Sequence, residues 1–103
     1  MSTPFEVKQS AGETRLTIRG SLDINTAPAL AEEIDKIIAG KPQKVAVDLG
    51  GLDLIDSSGV AALVKLYKGI RGAGGKLDIV GARDQPLAIF KLLRMDKVFG
   101  IYP

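Results

Sequence analysis

Residues 48–64 read DLGGLDLIDSSGVAALV and form the most informative stretch of the chain. The nearly continuous apolar run over 45–49 predicts a central strand that is buried on both faces. Residues 50–56 are interpreted as a connecting loop, and helical spacing then predicts a helix from Ser57 to Ala73. The stretch therefore predicts a strand–loop–helix unit, which is typical of α/β proteins. The apolar stripe of the helix is Val60, Leu63, Val64, Tyr67 and Ile70.

Strands and helices alternate along the rest of the chain. A helix is expected to begin near Thr26, because Thr is a good N-cap residue and Pro28 follows in the first turn. We predict one α/β domain over residues 1–103, with a four- to five-stranded, mostly parallel sheet, an N-terminal antiparallel edge strand and about three helices. The other predicted elements are strands over 5–9, 15–19, 77–80 and 98–102, a loop over 20–25, a stop to the first helix at Gly40 and Pro42, and a third helix from Pro86 to Met95.

The composition excludes several classes of function. The chain of 103 residues is 46% hydrophobic and 25% charged, which is enough apolar material for one buried core. It has no Cys and no His, so a Ser-His-Asp hydrolase and a thiolate metal site are both excluded within it. The net charge of +2 and the scattered cations do not indicate nucleic-acid binding. We expect a protein that is not an enzyme and has no cofactor and no metal.

The printed sequence begins Met-Ser-Thr-Pro, without the charged and apolar regions of a secretory leader. It contains no apolar stretch long enough to span a bilayer. We therefore expect a cytoplasmic protein without direct membrane insertion.

The residues with chemical potential are Asp56, Ser57, Ser58 and Gly59, at the predicted start of the second helix. A helix N-terminus offers free N–H groups and partial positive charge, so a serine there carries a phosphate at modest cost. Capping alone is the commoner role of Asp and Ser at this position. Gly59 costs helix stability, and we interpret it as an opening that lets a partner's backbone approach the serines.

The chain resembles the STAS domains, a family named from sulfate transporters and anti-sigma factor antagonists. The resemblance rests on Ile55-Asp56-Ser57-Ser58-Gly59-Val60, which is similar to the family's signature, and it extends over nearly the whole chain. Four other segments also fit the family: Gly20-Ser21-Leu22-Asp23 followed by Thr26-Ala27, the strand over 45–49, Gly74-Gly75-Lys76-Leu77, and the run from Leu87 to Phe99.

The resemblance implies a regulatory protein of the anti-sigma factor antagonist type. In that case Ser57 is phosphorylated by an anti-sigma factor serine kinase, which the unphosphorylated protein binds, and a serine phosphatase resets the system. Asp23 matches a position that family members use at the same surface. The implied partner-binding residues are Asp23, Asp56, Ser57, Ser58, Gly59, Ala61 and Ala62.

Two other functions compete with this interpretation. A STAS accessory subunit of a membrane transport system would be a permanent binding partner, and its serine would only cap the helix. Asp48 resembles the phosphoacceptor of response-regulator receivers, although the acidic pair that those domains need is missing from the sequence.

Phosphorylation of Ser57 is expected to make the binding face too negative without remodelling the fold, because the loop supplies no Lys or Arg to pair with a phosphate.

The chain departs from the family pattern at two places. Ala61 stands where the signature often has a second Gly. Many members also carry a final helix after the last strand, whereas the printed sequence ends at Pro103. A less covered third helix would expose Ile89, Leu92 and Met95 and permit self-association, but we favour their packing in the core.

Overall fold

The computed structural model describes residues 4–102, with the side chains of residues 4–99. Residues 1–3 and Pro103, which the expectations about a leader and a final helix involve, lie outside the described residues. Within the described part of the chain, no helix is long and apolar enough to cross a membrane.

Five strands form one sheet in the order in which they occur along the chain. The first two are joined by a tight turn and pair antiparallel, with Phe5 opposite Ile18. Each later strand pairs parallel to its predecessor. The expected mostly parallel sheet with an antiparallel N-terminal edge strand is therefore confirmed. The strands are β1 (Phe5–Ser10), β2 (Glu13–Leu22), β3 (Lys44–Ile55), β4 (Lys76–Val80) and β5 (Gly100–Tyr102).

Three helices connect the parallel strands, as expected. They are α1 (Ala27–Ala39), α2 (Ser57–Gly72) and α3 (Asp84–Leu92). The apolar face of α2 includes Leu66, which is fully buried and was missing from the predicted stripe, while Val64 and Tyr67 are half-buried. The helices and the sheet share one hydrophobic core, which is mostly aliphatic. Its largest fully buried members include Leu16, Ile18, Leu30, Ile34, Leu49, Leu52, Leu63, Leu66, Ile70, Phe90 and Phe99.

Strands β2 and β3 are both longer than predicted. The prediction of loops over 20–25 and 50–56 is wrong in part, because β2 continues to Leu22 and β3 to Ile55. The two extensions pair with each other across a register shift, so that Leu22 lies opposite Ile55. Gly51 pairs with Arg19 of β2, so backbone pairing continues the strand there although glycines are typical of loops.

The C-terminal third also differs from the prediction. Helix α3 begins at Asp84, before Pro86, and ends at Leu92. Another turn then follows, in which Phe99 N–H donates to the carbonyl of Met95 at 2.8 Å, so β5 begins at Gly100 and not at Val98. Leu92 is 77% exposed, which corrects the expectation that it packs inside, whereas Ile89 and Met95 are partly buried against the core.

Candidate functional site

The candidate site lies where β2 and β3 end and the chain turns into α1 and α2. Because the two strands are parallel and Leu22 lies opposite Ile55, the segments that follow them meet at the same edge of the sheet. Asp23 begins the first of these segments and Asp56 the second. The fold therefore brings together the two segments that the sequence singled out.

Asp56 is the N-cap of α2 and also a bridge between the two segments. Its Oδ1 accepts hydrogen bonds from the N–H groups of Ser58 at 2.9 Å and Gly59 at 3.1 Å. Its Oδ2 accepts a hydrogen bond from Ile24 N–H at 3.3 Å. Capping is thus a real role of Asp56, and the same carboxylate fixes the β2–α1 loop against the helix start.

Ser57 is the first residue of α2, and its side chain is exposed. Its hydroxyl makes no hydrogen bond to any residue that the structure describes. Since Asp56 performs the capping, the Ser57 hydroxyl is not needed for it. The hydroxyl lies at the positive end of a helix of 16 residues, whose first turn contains no acidic residue.

A shallow apolar groove lies between α1 and α2, and Ser58, the neighbour of Ser57, is one of its lining residues. We call it the α1–α2 groove; its volume is about 340 Å³. Ala61 is exposed on its α2 wall, and Ile24, on the other wall, is 71% exposed. Ser58 is half-buried and faces the same groove. The lining residues are Ile24, Ala27, Pro28, Ala31, Ser58, Ala61, Ala62 and Lys65.

Gly59 is buried and serves the inside of the fold. A Cβ atom at this position would stand 2.7 Å from Leu22 Cγ, from the Leu22 carbonyl oxygen and from Ile55 Cγ1. Contacts that short require the strand ends to move. The absence of a side chain at Gly59 therefore permits close packing of α2 on β2 and β3. The interpretation of Gly59 as an opening for a partner's backbone is wrong, because the residue faces the inside of the fold.

The Asp23 carboxylate makes hydrogen bonds within the β2–α1 loop and stabilises its turn. Its Oδ1 accepts hydrogen bonds from the N–H groups of Asn25 at 2.9 Å and Thr26 at 3.2 Å. The Thr26 hydroxyl accepts from Asp23 N–H at 3.0 Å and donates to the carbonyl of Ser21 at 2.9 Å. Thr26 is the N-cap of α1 as predicted, but its side chain does not bond to the helix. It stabilises the loop that carries Ile24, a role that its sequence position did not reveal.

Charged groups around the site are largely paired with each other. Lys65, in the groove, lies 2.9 Å from Asp35 of α1. Asp53 lies 3.5 Å from Arg83, which approaches from the start of α3. The pKa of Asp48 is lowered, mainly because its carboxylate accepts a hydrogen bond from Gly50 N–H. Burial acts in the opposite direction, and the contact with Arg15 lowers the pKa further. The Asp48 carboxylate thus has a structural role, because it accepts hydrogen bonds from Gly50 of its own strand and from Arg15 of β2.

The described residues contain no group of three or more Asp or Glu side chains arranged to hold a metal ion. The site therefore consists of a free hydroxyl, a carboxylate used for backbone hydrogen bonds and an apolar groove. An exposed apolar groove rimmed by polar groups is the kind of surface that another protein covers.

The family model for "Mlab, STAS domain" matches residues 5–102. The chain belongs to the STAS domain family. It is 29% identical over 101 residues to the anti-sigma-F factor antagonist RsfB of Mycobacterium tuberculosis, covering 98% of this chain and 82% of the relative.

Two solved structures show the same fold. The first is an anti-sigma factor antagonist from Mycobacterium paratuberculosis, with 26% identity and a TM-score of 0.87 over 100% of this chain and 91% of that one. The second is the Bacillus cell fate determinant SpoIIAA in its phosphorylated form. It has 14% identity and a TM-score of 0.76, over 96% of this chain and 91% of that one.

Proposed function

We propose that this protein is an anti-sigma factor antagonist that binds an anti-sigma factor serine kinase and is released when Ser57 is phosphorylated. The observation that carries the proposal is the exposed Ser57 hydroxyl, which has no hydrogen bond within the described chain and whose neighbour Ser58 lines an apolar groove. The antagonist relatives and the phosphorylated SpoIIAA structure support it. The protein itself acts by binding and catalyses nothing.

The docking face in this proposal combines the α1–α2 groove with the first turn of α2. Ile24 offers an apolar side chain that projects from a hydrogen-bonded loop, so little ordering is needed on binding. Ala61 and Ala62 give the helix a low surface that a partner side chain covers without a clash. Ser57 and Ser58 lie at the rim of this face, and Asp23 supports the loop behind Ile24.

The kinase step converts the Ser57 hydroxyl into a phosphate ester. The serine oxygen forms a bond to the γ-phosphorus of ATP, the bond from that phosphorus to ADP breaks, and the hydroxyl proton is lost. The ester adds about −1.5 to −2 charges at neutral pH. In the phosphatase reaction, water attacks the phosphorus, the bond between the phosphorus and the serine oxygen breaks, inorganic phosphate leaves and the hydroxyl is restored.

The added charge explains release without a change of fold. The N-terminus of α2 offsets part of the charge, so the free phosphoprotein is stable. At an interface the phosphate loses water, while its neighbour Asp56 is also negative and already used for three backbone hydrogen bonds. Desolvating an unpaired charge of this kind costs about 3 kcal/mol or more, which is enough to separate two proteins.

Phosphorylation in vitro tests the proposal. The anti-sigma factor kinase from the same genome is incubated with ATP and the protein, and intact mass and peptide mapping locate the phosphate. We expect one phosphate on Ser57, none on the Ser57→Ala variant, and wild-type modification of the control Ser10→Ala, which lies at the opposite edge of the sheet. Modification elsewhere, or none, contradicts the proposal.

The second candidate is an accessory subunit of a membrane transport system. The apolar character of the α1–α2 groove favours it, because such a groove also suits a permanent partner that needs no phosphate. Protein purified from its own cells discriminates between the two. A stoichiometric complex with a transporter ATPase and an unmodified Ser57 supports this candidate, and a fraction phosphorylated on Ser57 supports the antagonist.

A further inference from the structure

At its carboxyl end, β3 extends beyond its neighbour β4. The last pair between β3 and β4 is Asp48 with Val80, while β3 itself continues to Ile55. On the other side β2 still accompanies it, and Asp56 N–H donates to the carbonyl of Leu22 at 3.1 Å. Neighbouring backbone groups of a strand alternate in direction, so the N–H and C=O of Ile55 point away from β2. Left without partners, these partly buried groups would cost stability.

The side chain of Gln85 takes the place of the missing strand. Its Oε1 accepts a hydrogen bond from Ile55 N–H at 2.9 Å, and its Nε2 donates to the Ile55 carbonyl at 2.9 Å. A carboxamide has the same donor and acceptor as a peptide group, so one side chain satisfies both backbone groups. Gln85 is the second residue of α3 and is half-buried.

The residues before Gln85 hold it in this position. Asp84 has φ of 52°, a left-handed conformation that is unfavourable for a residue other than glycine. Arg83 Nε donates to the Gly50 carbonyl at 2.9 Å, and Arg83 Nη1 lies 2.8 Å from Asp84 Oδ2. The start of α3 is thus tied to both ends of the β3 extension, and the chain tolerates a strained residue there.

We propose that Gln85 is a positioning residue for Ser57, fixing the end of β3 from which the phosphorylated corner projects. Ile55 precedes Ser57 by two residues, and only Asp56 lies between them. With β2 holding Asp56 on one side and Gln85 holding Ile55 on the other, the corner has one orientation toward a partner. The part of this inference that concerns docking rests on the proposed function, whereas the part that concerns the backbone does not.

The variant Gln85→Glu tests the inference because its effect reverses with pH. An ionised carboxylate has no donor for the Ile55 carbonyl oxygen and repels it, which moves the side chain away from the Ile55 N–H as well, while the protonated acid restores both hydrogen bonds. We expect the amide-exchange protection factor of Ile55 to fall about tenfold at pH 7, and the amide chemical shifts of Ser57 and Ser58 to move. Both changes should recover towards wild-type values as the pH is lowered through the titration of the new carboxyl group.

The kinase assay adds a readout that reports on docking. At pH 7 we expect Gln85→Glu to raise the KM for this protein about tenfold, with kcat nearly unchanged, because the hydroxyl is intact but presented in several orientations. The matched control Gln9→Glu introduces the same charge on an exposed residue of β1 and should leave protection factors and KM unchanged. If Gln85→Glu does not fold at pH 7, Gln85→Ala replaces it, with the same loss of protection expected at every pH.

The outcomes separate this inference from the proposed function. Unchanged Ile55 protection in both Gln85 variants, or a KM equal to that of wild type, overturns the positioning role while Ser57 remains a kinase substrate. If the wild-type protein is not phosphorylated at all, the proposed function fails, and the exchange data still decide whether Gln85 holds the end of β3.

Discussion

Ile24 and Asp56 lie 32 positions apart in the chain, and the Ile24 N–H donates to Asp56 Oδ2 at 3.3 Å. The carboxylate that caps α2 therefore also fixes the apolar residue on the opposite wall of the α1–α2 groove. This arrangement connects the shape of the groove to the start of the helix that carries Ser57. Hydrogen bonds from backbone N–H groups hold the loop and the helix start together, and the exposed side chain of Ile24 takes no part in them.

Loss of the Asp56 carboxylate should weaken the fold. Asp56→Ala removes an N-cap and the bond to Ile24, and we expect a loss of about 1–2 kcal/mol in the free energy of unfolding, measured with urea. Asp56→Asn keeps an acceptor for the helix N–H groups and should lose less. Asp53→Ala is the control, since Asp53 is exposed and its pair with Arg83 is long; a loss there equal to that of Asp56→Ala would contradict the capping role.

A methyl group at Gly59 should destabilise the protein more than one at another glycine of the same helix. Gly59→Ala places Cβ 2.7 Å from atoms of Leu22 and Ile55, and we expect a cost of about 1–3 kcal/mol in thermal or urea unfolding. Gly72→Ala meets no atom within 4 Å and should stabilise α2 by up to about 1 kcal/mol. Equal effects of the two substitutions would show that Gly59 is not packed against the strand ends.

Asp48 should make stability depend on pH in the acidic range. Because its pKa is lower in the folded protein than in the unfolded chain, the ionised form stabilises the fold above the unfolded value of 3.8. That contribution is lost as the pH falls through the lower, folded pKa. Asp48→Asn should therefore cost about 1 kcal/mol at pH 7, and the difference from wild type should disappear near pH 2 in urea titrations. A difference that persists unchanged at low pH would exclude a charge effect.

The apolar wall of the α1–α2 groove should contribute to partner affinity. Ile24 is 71% exposed, so Ile24→Ser should leave the free energy of unfolding nearly unchanged while weakening kinase binding about tenfold or more in calorimetry. The control is Leu92→Ser, which removes a side chain that is 77% exposed at the far end of α3. Equal loss of affinity in both variants would place the docking face elsewhere.

Periodicity predicted the fold well because one face of each element is buried. Val60, Leu63 and Ile70 of the predicted α2 stripe are buried in the core, and Val64 and Tyr67 pack against it. The ends of β2 and β3 were missed because Gly20, Gly50 and Gly51 are typical of turns, whereas the two strands go on pairing through this region across register shifts. The start of β5 was also missed, because Val98 and Phe99 suit a strand locally, whereas Phe99 lies in a turn and packs on Tyr67 with ring centroids 5.2 Å apart.

Only the part of the site that short sequence motifs mark could be predicted. Asp, Ser and Gly at a helix start indicated the corner around Ser57, and the signature pointed to the same place. The roles of Thr26 and Gln85 were not predictable, because each depends on backbone groups that the fold brings near; Gln85 bonds to a residue 30 positions earlier. The function of Gly59 was misread because local sequence does not tell which face of a helix start lies inside.

The most direct test of the proposed release mechanism is calorimetric titration of the anti-sigma factor kinase. The titration is done once with unphosphorylated protein and once with protein phosphorylated only on Ser57. We predict tight binding of the first form and a Kd raised about a hundredfold or more for the second, equivalent to about 2.7 kcal/mol or more, with circular dichroism spectra that superimpose. Equal affinity of the two forms would contradict the account.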